Sequence, residues 1–369
     1  MTASPPSNTA VAPGHDAPTK DRTKQHRDAG PAGIHGAKVT QWFIDHIDAV
    51  TGPLTFEPIA GGRSNLTYIV TDAVGHRFVL RRPPLGRLLP SAHDMAREFR
   101  IISALEPTTV PVATPLGFCD DSRVNDCPFY VMAFADGLVL RNADDARLLT
   151  DDAKVRASES IVDVLADLHS LDVDAIGLGS LGRRDGYVER QLRRWNAQFE
   201  QSTTYAIPAI GRVHDALLAK LPEQRGTSVV HGDYRLDNTM VNSDGRVIAV
   251  LDWELCTLGD PLADIGLLLV YWPEPDDPNP PLGTAASSAH GFLGRQAIRT
   301  RYAQRTGRDL RDLDAYVAFG YWKLACILDG VYARYKAGAM GDDGYDWKAL
   351  EMQVPLLAQT AADTLEGLV

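Results

Sequence analysis

Two apolar, β-type runs around a dense polar loop most narrow what this chain can become. Val229-Val230 lead into His231-Gly-Asp-Tyr-Arg-Leu-Asp-Asn238, and Val247–Leu251 then runs into Asp252-Trp-Glu. Both runs are short, bounded by turn residues and rich in valine, so they read as strands rather than helices. The pattern is H-G-D-x4-N, then thirteen residues, then an aspartate at a strand end. Taken singly, Asp233, Asp237 and Asn238 are ordinary turn residues. With an apolar strand on each side they form a candidate site, because the strand ending at Asp252 is fixed against the loop that bears Asp233 and Asn238.

Phosphoryl transfer asks for such a set. The transferred group spreads negative charge over its oxygens, so a protein mainly positions it and supplies cations. Mg²⁺ takes hard oxygen ligands, and Asn238 and Asp252 offer an amide oxygen and a carboxylate. A separate carboxylate, Asp233, orients an acceptor hydroxyl and takes its proton. His231 and Arg235 complete the catalytic group, with His231 expected to brace the loop by hydrogen bonding rather than to act as a base.

Around this island the 369 residues divide unevenly. Residues 1–38 are rich in Pro, Ser, Thr, Ala and Gly and read as a disordered tail, since they bury too little to offset ordering. Phe43, Ile44, Ile47 and Val50 then recur at helical spacing. Strand-like segments follow at Leu54–Ala60, Leu66–Thr71, Arg77–Arg81, Pro115–Cys119 and Phe129–Phe134. A helix among them carries Met95, Phe99, Ile102 and Leu105 on one face. Past about residue 136 helices dominate, with apolar stripes over Ile161–Leu171 and Leu313–Tyr335. Trp272–Gly283 is too rich in proline for helix or central strand and reads as a surface loop. The class is α+β: a sheet-rich lobe over 39–136 and a larger helical lobe over 137–369.

Composition excludes several functions. With 37 Lys+Arg against 48 Asp+Glu, the net charge of −11 argues against nucleic-acid binding. The longest apolar run, Ile265–Trp272, is too short to span a bilayer, so no membrane partner is expected. The N-terminus lacks a signal-peptide pattern. Four cysteines show neither zinc nor CxxC spacing. A cytoplasmic location is the expectation.

The motifs HGDYRLDN (231–238), LDWE (251–254) and LGDPLADIG (258–266) resemble the aminoglycoside phosphotransferase family, a branch of the protein-kinase-like fold. The resemblance runs from about Phe56 onward. It is nearest to the branch that also forms the N-terminal kinase-like domain of some acyl-CoA dehydrogenases, through GGRSNLTY, FVLRRPP, LLPSAHDMAREFRI and FYVM. No dehydrogenase module is expected, since too little sequence follows. The resemblance implies a bilobal fold, an N-lobe of antiparallel sheet plus helix that binds ATP, and a mostly helical C-lobe. It makes Asp264 a buried anchor of the catalytic loop.

It also assigns N-lobe positions. Gly62, Ser64 and Asn65 would lie over the phosphates. Strand alternation puts Val79 and Arg81 on one face, so Val79 would roof the adenine and Arg81 reach the phosphates, where this fold usually has Lys. Arg82 is the rival if the strand is bulged. Glu98 would pair with the cation, and Tyr130–Phe134, with Met132 and Phe134, would form the hinge.

The short span from Asp252 to the helix near Pro261 leaves no room for polypeptide binding of the protein-kinase kind, which favours a small-molecule hydroxyl acceptor. Two acceptor classes stay open. Glu274, Asp276 and Asp277 suit an aminoglycoside's ammonium groups, or form a solvated loop. Arg183, Arg184, Arg190, Arg193 and Arg194 suit a hydroxyacyl-CoA, or solvate helix surfaces. The alternative from another class is a nucleotide-binding pseudokinase, invited by Arg81. Oligomeric state is not legible.

Overall fold

Period-two burial organises the first lobe. In the computed structural model, which describes residues 30–59, 65–85, 93–220, 222–275, 277, 285–340 and 344–367, five strands form one antiparallel sheet. They are β1 (Thr55–Pro58), β2 (Leu66–Thr71), β3 (Arg77–Arg82), β4 (Pro115–Cys119) and β5 (Phe129–Ala133), in the order β1-β2-β3-β5-β4. Tyr68, Val70, Phe78, Leu80, Phe129 and Val131 bury one face under helix α1 (Gly36–His46), whose Val39, Trp42 and Phe43 pack on it. The Trp42 and Phe129 rings meet edge to face at 4.9 Å. The other face carries Val79, Arg81, Tyr130 and Met132, with Val79 opposite Met132 and Arg81 opposite Tyr130. Helix α2 (Met95–Leu105), capped by Asp94 accepting from the Arg97 N–H, packs near β4 and β5.

Three details differ from the sequence reading. Residues 30–38, placed in the tail, are packed: Ile34 is buried, Tyr68 Oη donates to the Ala32 carbonyl at 2.7 Å, and α1 already begins at Gly36. One buried isoleucine and a backbone acceptor hold a segment that is otherwise mostly small residues. In α1 the buried stripe runs through Val39, Trp42 and Phe43, while Ile44 is exposed. Trp272, assigned to a surface loop, is buried with its indole N–H donated to the Leu293 carbonyl. The tail before residue 30 lies outside the described residues.

The second lobe is built on helices α3 (Asp151–Ser170), α4 (Tyr187–Ser202), α5 (Pro208–Ala219), α6 (Leu262–Val270), α7 (Arg295–Thr306), α8 (Leu313–Lys336) and α9 (Leu350–Glu366). Helix α8 is its axis: it packs against α4, α5, α6 and α9, and Trp322 at its centre is fully buried and donates to the Ile210 carbonyl. Gly266 lets α6 and α8 approach closely, since a Cβ there would stand 2.8 Å from the Tyr316 backbone. Two small ribbons sit on this scaffold, β6 (Ser228–Val230) with β9 (Thr257–Gly259) and β7 (Thr239–Val241) with β8 (Val247–Val250). No described helix is long and apolar enough to cross a membrane.

Candidate active site

The polar loop leaves β6 buried and is gripped at once. Asp264, on α6 and nearly inaccessible, accepts the His231 N–H at 2.6 Å and the Gly232 N–H at 2.9 Å. Burial pushes its carboxyl up, but the His169 bond, the charge of the nearby imidazoles and the Gly232 N–H outweigh that and hold it below the usual range. His169 is itself fixed by the Tyr302 hydroxyl at 2.7 Å. Gly232 has φ +86°, a left-handed turn that glycine adopts without strain.

That turn presents Asp233. Asn238, on a 3₁₀ turn at 236–238, gives both amide hydrogens to it, one to the backbone carbonyl at 2.8 Å and one to Oδ2 at 2.9 Å. Arg235 Nε stands 3.4 Å from the same oxygen, its Nη1 pairs with Asp237 at 3.0 Å, and its guanidinium lies 4.6 Å over the Tyr271 ring. His231 is fully buried. Its Nδ1 accepts from the Asp233 N–H within the loop, and its Nε2 donates to the Leu251 carbonyl at 2.8 Å and ties the loop to the residue after β8. It braces and does not face a cavity.

Beyond Leu251 the chain turns through Asp252 at φ +62°, a conformation uncommon for a residue with a side chain and typical of functional sites. Arg81 Nη2 reaches Asp252 Oδ1 at 2.5 Å while its Nε reaches Glu98 Oε2 at 3.0 Å. Burial acts to neutralise the guanidinium, but Tyr130, Glu98 and Asp252 around it win and keep it charged. Glu98 is buried and also accepts from the Tyr130 hydroxyl and from Asn65.

Two cavities lie on either side of the loop. One, about 350 Å³, is lined by Val79, Arg81, Met132, Phe134, Asn238 and Asp252. The other, about 470 Å³, is lined by Asp233, Arg235, Trp195, Tyr271, Lys323 and Ile327, among others. Asn65 faces neither. Its side chain is buried between Glu98 Oε1 at 2.9 Å, Glu254 at 3.3 Å and the His93 ring at 2.8 Å, a link between α2 and the Asp252 turn. This corrects its placement over the phosphates: an amide can satisfy a donor and an acceptor demand at once, and the buried carboxylate and imidazole use both. Gly62 and Ser64 lie outside the described residues. Arg82 is turned away, donating to the Pro83 and Gly33 carbonyls.

The surface charges are largely paired. Arg295 takes Glu274 and Asp277, and Asp276 lies outside the described residues. Arg184 pairs with Asp174 and Arg193 with Glu189; none of the five arginines over 183–194 lines the second cavity. Sequence reasoning missed Lys323, Trp195 and Tyr271. The one signal for Lys323 was a lone cation inside the apolar stretch AFGYWKLACIL.

A model of the phosphotransferase enzyme family matches residues 55–312. The chain belongs to that family. Acyl-CoA dehydrogenase family member 10 of Mus musculus is 36% identical over 301 residues, covering 78% of this chain and 27% of that protein. Family member 11 of Rattus norvegicus is 35% identical over 291 residues, 77% of this chain and 37% of that one. The chain thus spans well under half the length of these curated relatives. Among solved structures, a Ralstonia eutropha protein assigned as an aminoglycoside phosphotransferase superposes with a TM-score of 0.75 at 32% identity, covering 90% of this chain and 98% of its own. An aminoglycoside phosphotransferase in ternary complex with AMP-PNP and hygromycin B shares the fold, with a TM-score of 0.58 at 14% identity over 89% of this chain and 98% of its own. By family the chain groups with phosphotransferases, and its fold is the bilobal protein-kinase-like architecture that these structures share.

Proposed function

We propose that the protein transfers the γ-phosphoryl group of ATP, with Mg²⁺, to a hydroxyl of a small molecule in the cytoplasm. One observation carries the reading: the loop 231–238 runs between two cavities, turning Asp233 to one and Asn238, with Asp252, to the other. The AMP-PNP held by a relative of the same fold supports ATP as donor.

The donor set fits a magnesium ion. Asn238 has both amide hydrogens on Asp233, which leaves its amide oxygen for a cation, and Asp252 adds a carboxylate. Mg²⁺ keeps waters and phosphate oxygens as its other ligands, so two protein oxygens suffice. Bound there, it would neutralise charge developing on the phosphate oxygens.

The chain's own residues do the rest. Val79, Met132 and Phe134 offer an apolar slot for the base, and Arg81 a fork for phosphate oxygens. Asp233, oriented by Asn238 and flanked by Arg235, accepts the proton of the acceptor hydroxyl as the new P–O bond forms. Asp264 and His231 keep its backbone in place.

Mass spectrometry of two acceptor pools, aminoglycosides and hydroxyacyl-CoA thioesters, incubated with protein, Mg²⁺ and ATP tests this. A phosphoryl adduct in one pool is expected. Asp233→Asn should bind Mg-ATP nearly as the wild type does while turnover drops by about 10²-fold or more; Asp252→Ala should weaken Mg-ATP binding itself. Wild-type turnover in Asp233→Asn would refute the role, and Mg-ATP binding without any adduct would favour the pseudokinase reading.

A further inference from the structure

The second cavity holds a charge that this chemistry does not use. Lys323, on α8, is 4% exposed, and its Nζ donates to the Gly232 carbonyl at 2.7 Å. The ammonium stands 5.9 Å from the centre of the Trp195 ring. An ammonium has three donors, and the other two have no hydrogen-bond acceptor among the described residues. Burial lowers its proton affinity, opposed by Asp233 and Asp264. A buried cation with two unused donors is costly to a fold, so a ligand group that completes it is the economical explanation.

The other charges of the cavity are already committed. Arg235 is held by Asp233 and Asp237, and Glu254 contacts Asn65 with His93 nearby. Along α8, Leu324, Ile327 and Leu328 continue the wall from Lys323, and Arg334 follows at the far end with no ion pair among the described residues. The step of eleven positions from one cation to the other spans about 16 Å of helix. The wall therefore reads cation, apolar stripe, cation. A polyammonium acceptor would bring like charge against a desolvated ammonium, where repulsion is least screened.

We propose that Lys323 is a specificity-determining residue of the acceptor site: its free N–H groups hold an anionic or carbonyl oxygen next to the hydroxyl that Asp233 deprotonates, and its charge turns away acceptors with an ammonium there. The inference rests on the acceptor lying in this cavity, as the reading above has it.

Two probes of one skeleton test it, 3-hydroxydecanoate and 1-aminodecan-3-ol, which share chain and hydroxyl and differ in the sign of the terminal charge. Binding of each is measured by calorimetry with Mg-ADP present. The wild type should bind the carboxylate about tenfold tighter or more. Lys323→Met should erase that preference and Lys323→Arg should keep its sign, with thermal unfolding recorded for each. Should Lys323→Met not fold, Lys323→Gln, which can still donate to the Gly232 carbonyl, carries the same expectation. Equal or tighter binding of the amine, no binding of either probe, or an unchanged preference in a folded Met or Gln variant overturns the proposal. Because this readout needs no turnover, it is separable from the transfer assay: lost transfer with the charge preference intact sinks the reaction reading, and intact transfer without the preference sinks this one.

Discussion

Gly232 shows how narrowly the loop is built. At φ +86° an alanine would be strained, and its Cβ would stand 2.9 Å from the Leu255 carbonyl oxygen and 3.0 Å from Leu255 Cβ. Neither is the free end of a flexible side chain, so the loop itself must shift. Gly232→Ala should cost about 2–4 kcal/mol and, by moving Asp233, lower turnover about tenfold or more. Gly75 separates strain from displacement, since it has φ +96° but nothing within 4 Å of a new Cβ. Gly75→Ala should cost only about 1–2 kcal/mol and leave turnover unchanged. Denaturant melts with parallel assays check both, and equal turnover losses would contradict the argument. At this scale the sequence was most informative around 231–252, where the groups proposed to react are near neighbours in the chain and their chemistry is stated by residue type. It was least informative for Asn65 and Lys323. Asn65 finds its partners 33 and 189 residues away, and Lys323 meets Gly232 across 91. Local pattern contains none of those distances.

Among elements, α8 carries both a wall of the second cavity and an internal liability. Asp329 is fully buried, and neither carboxylate oxygen makes a well-formed hydrogen bond. Burial raises its carboxyl above the ordinary value of 3.8, with Ser202 and Thr203 opposing. A raised folded value means that the native state holds the proton where the unfolded chain has released it. Stability contributed by the group is thus present below pH 3.8 and falls as pH rises from there through the folded value. Asp329→Asn mimics the protonated form. It should match the wild type near pH ~4 and exceed it by about 1 kcal/mol near pH ~8. Urea titrations at the two pH values read the difference, and a variant less stable at the higher pH would reverse the sign. The apolar period of α8 was visible beforehand because burial repeats along the helix. Its buried charges were not, since periodicity says which face is inside and nothing about what meets it there.

On the scale of the molecule, α2 is the bolt between the lobes. Arg97 gives one N–H to the Leu181 carbonyl at 3.2 Å and another to the Cys256 carbonyl at 2.6 Å, while Arg100 reaches the Gly177 carbonyl and the Ser180 hydroxyl. The same helix holds Glu98, which fixes Arg81 and, through Asn65, the turn bearing Glu254. The bilobal division could be read from the change of period along the chain, but this clamp could not, because an exposed helix arginine looks the same whether it meets water or a carbonyl. Arg97→Ala removes two charge-assisted bonds and leaves two carbonyls to find other donors. It should destabilise by about 2 kcal/mol. Because α2 positions Arg81 through Glu98, the proposed reaction predicts that the substitution also raises KM for Mg-ATP more than it lowers kcat. Arg97→Lys, a single point charge, can reach one carbonyl at a time and should recover only part of the loss. Hydrogen exchange locates the effect. If the lobes are clamped here, protection should fall in α2 and over 255–259 together, while α9, packed on α8 and α5, keeps its protection. Loss confined to α2 would mean that the helix frays without loosening the lobes, and the clamp would be only local packing.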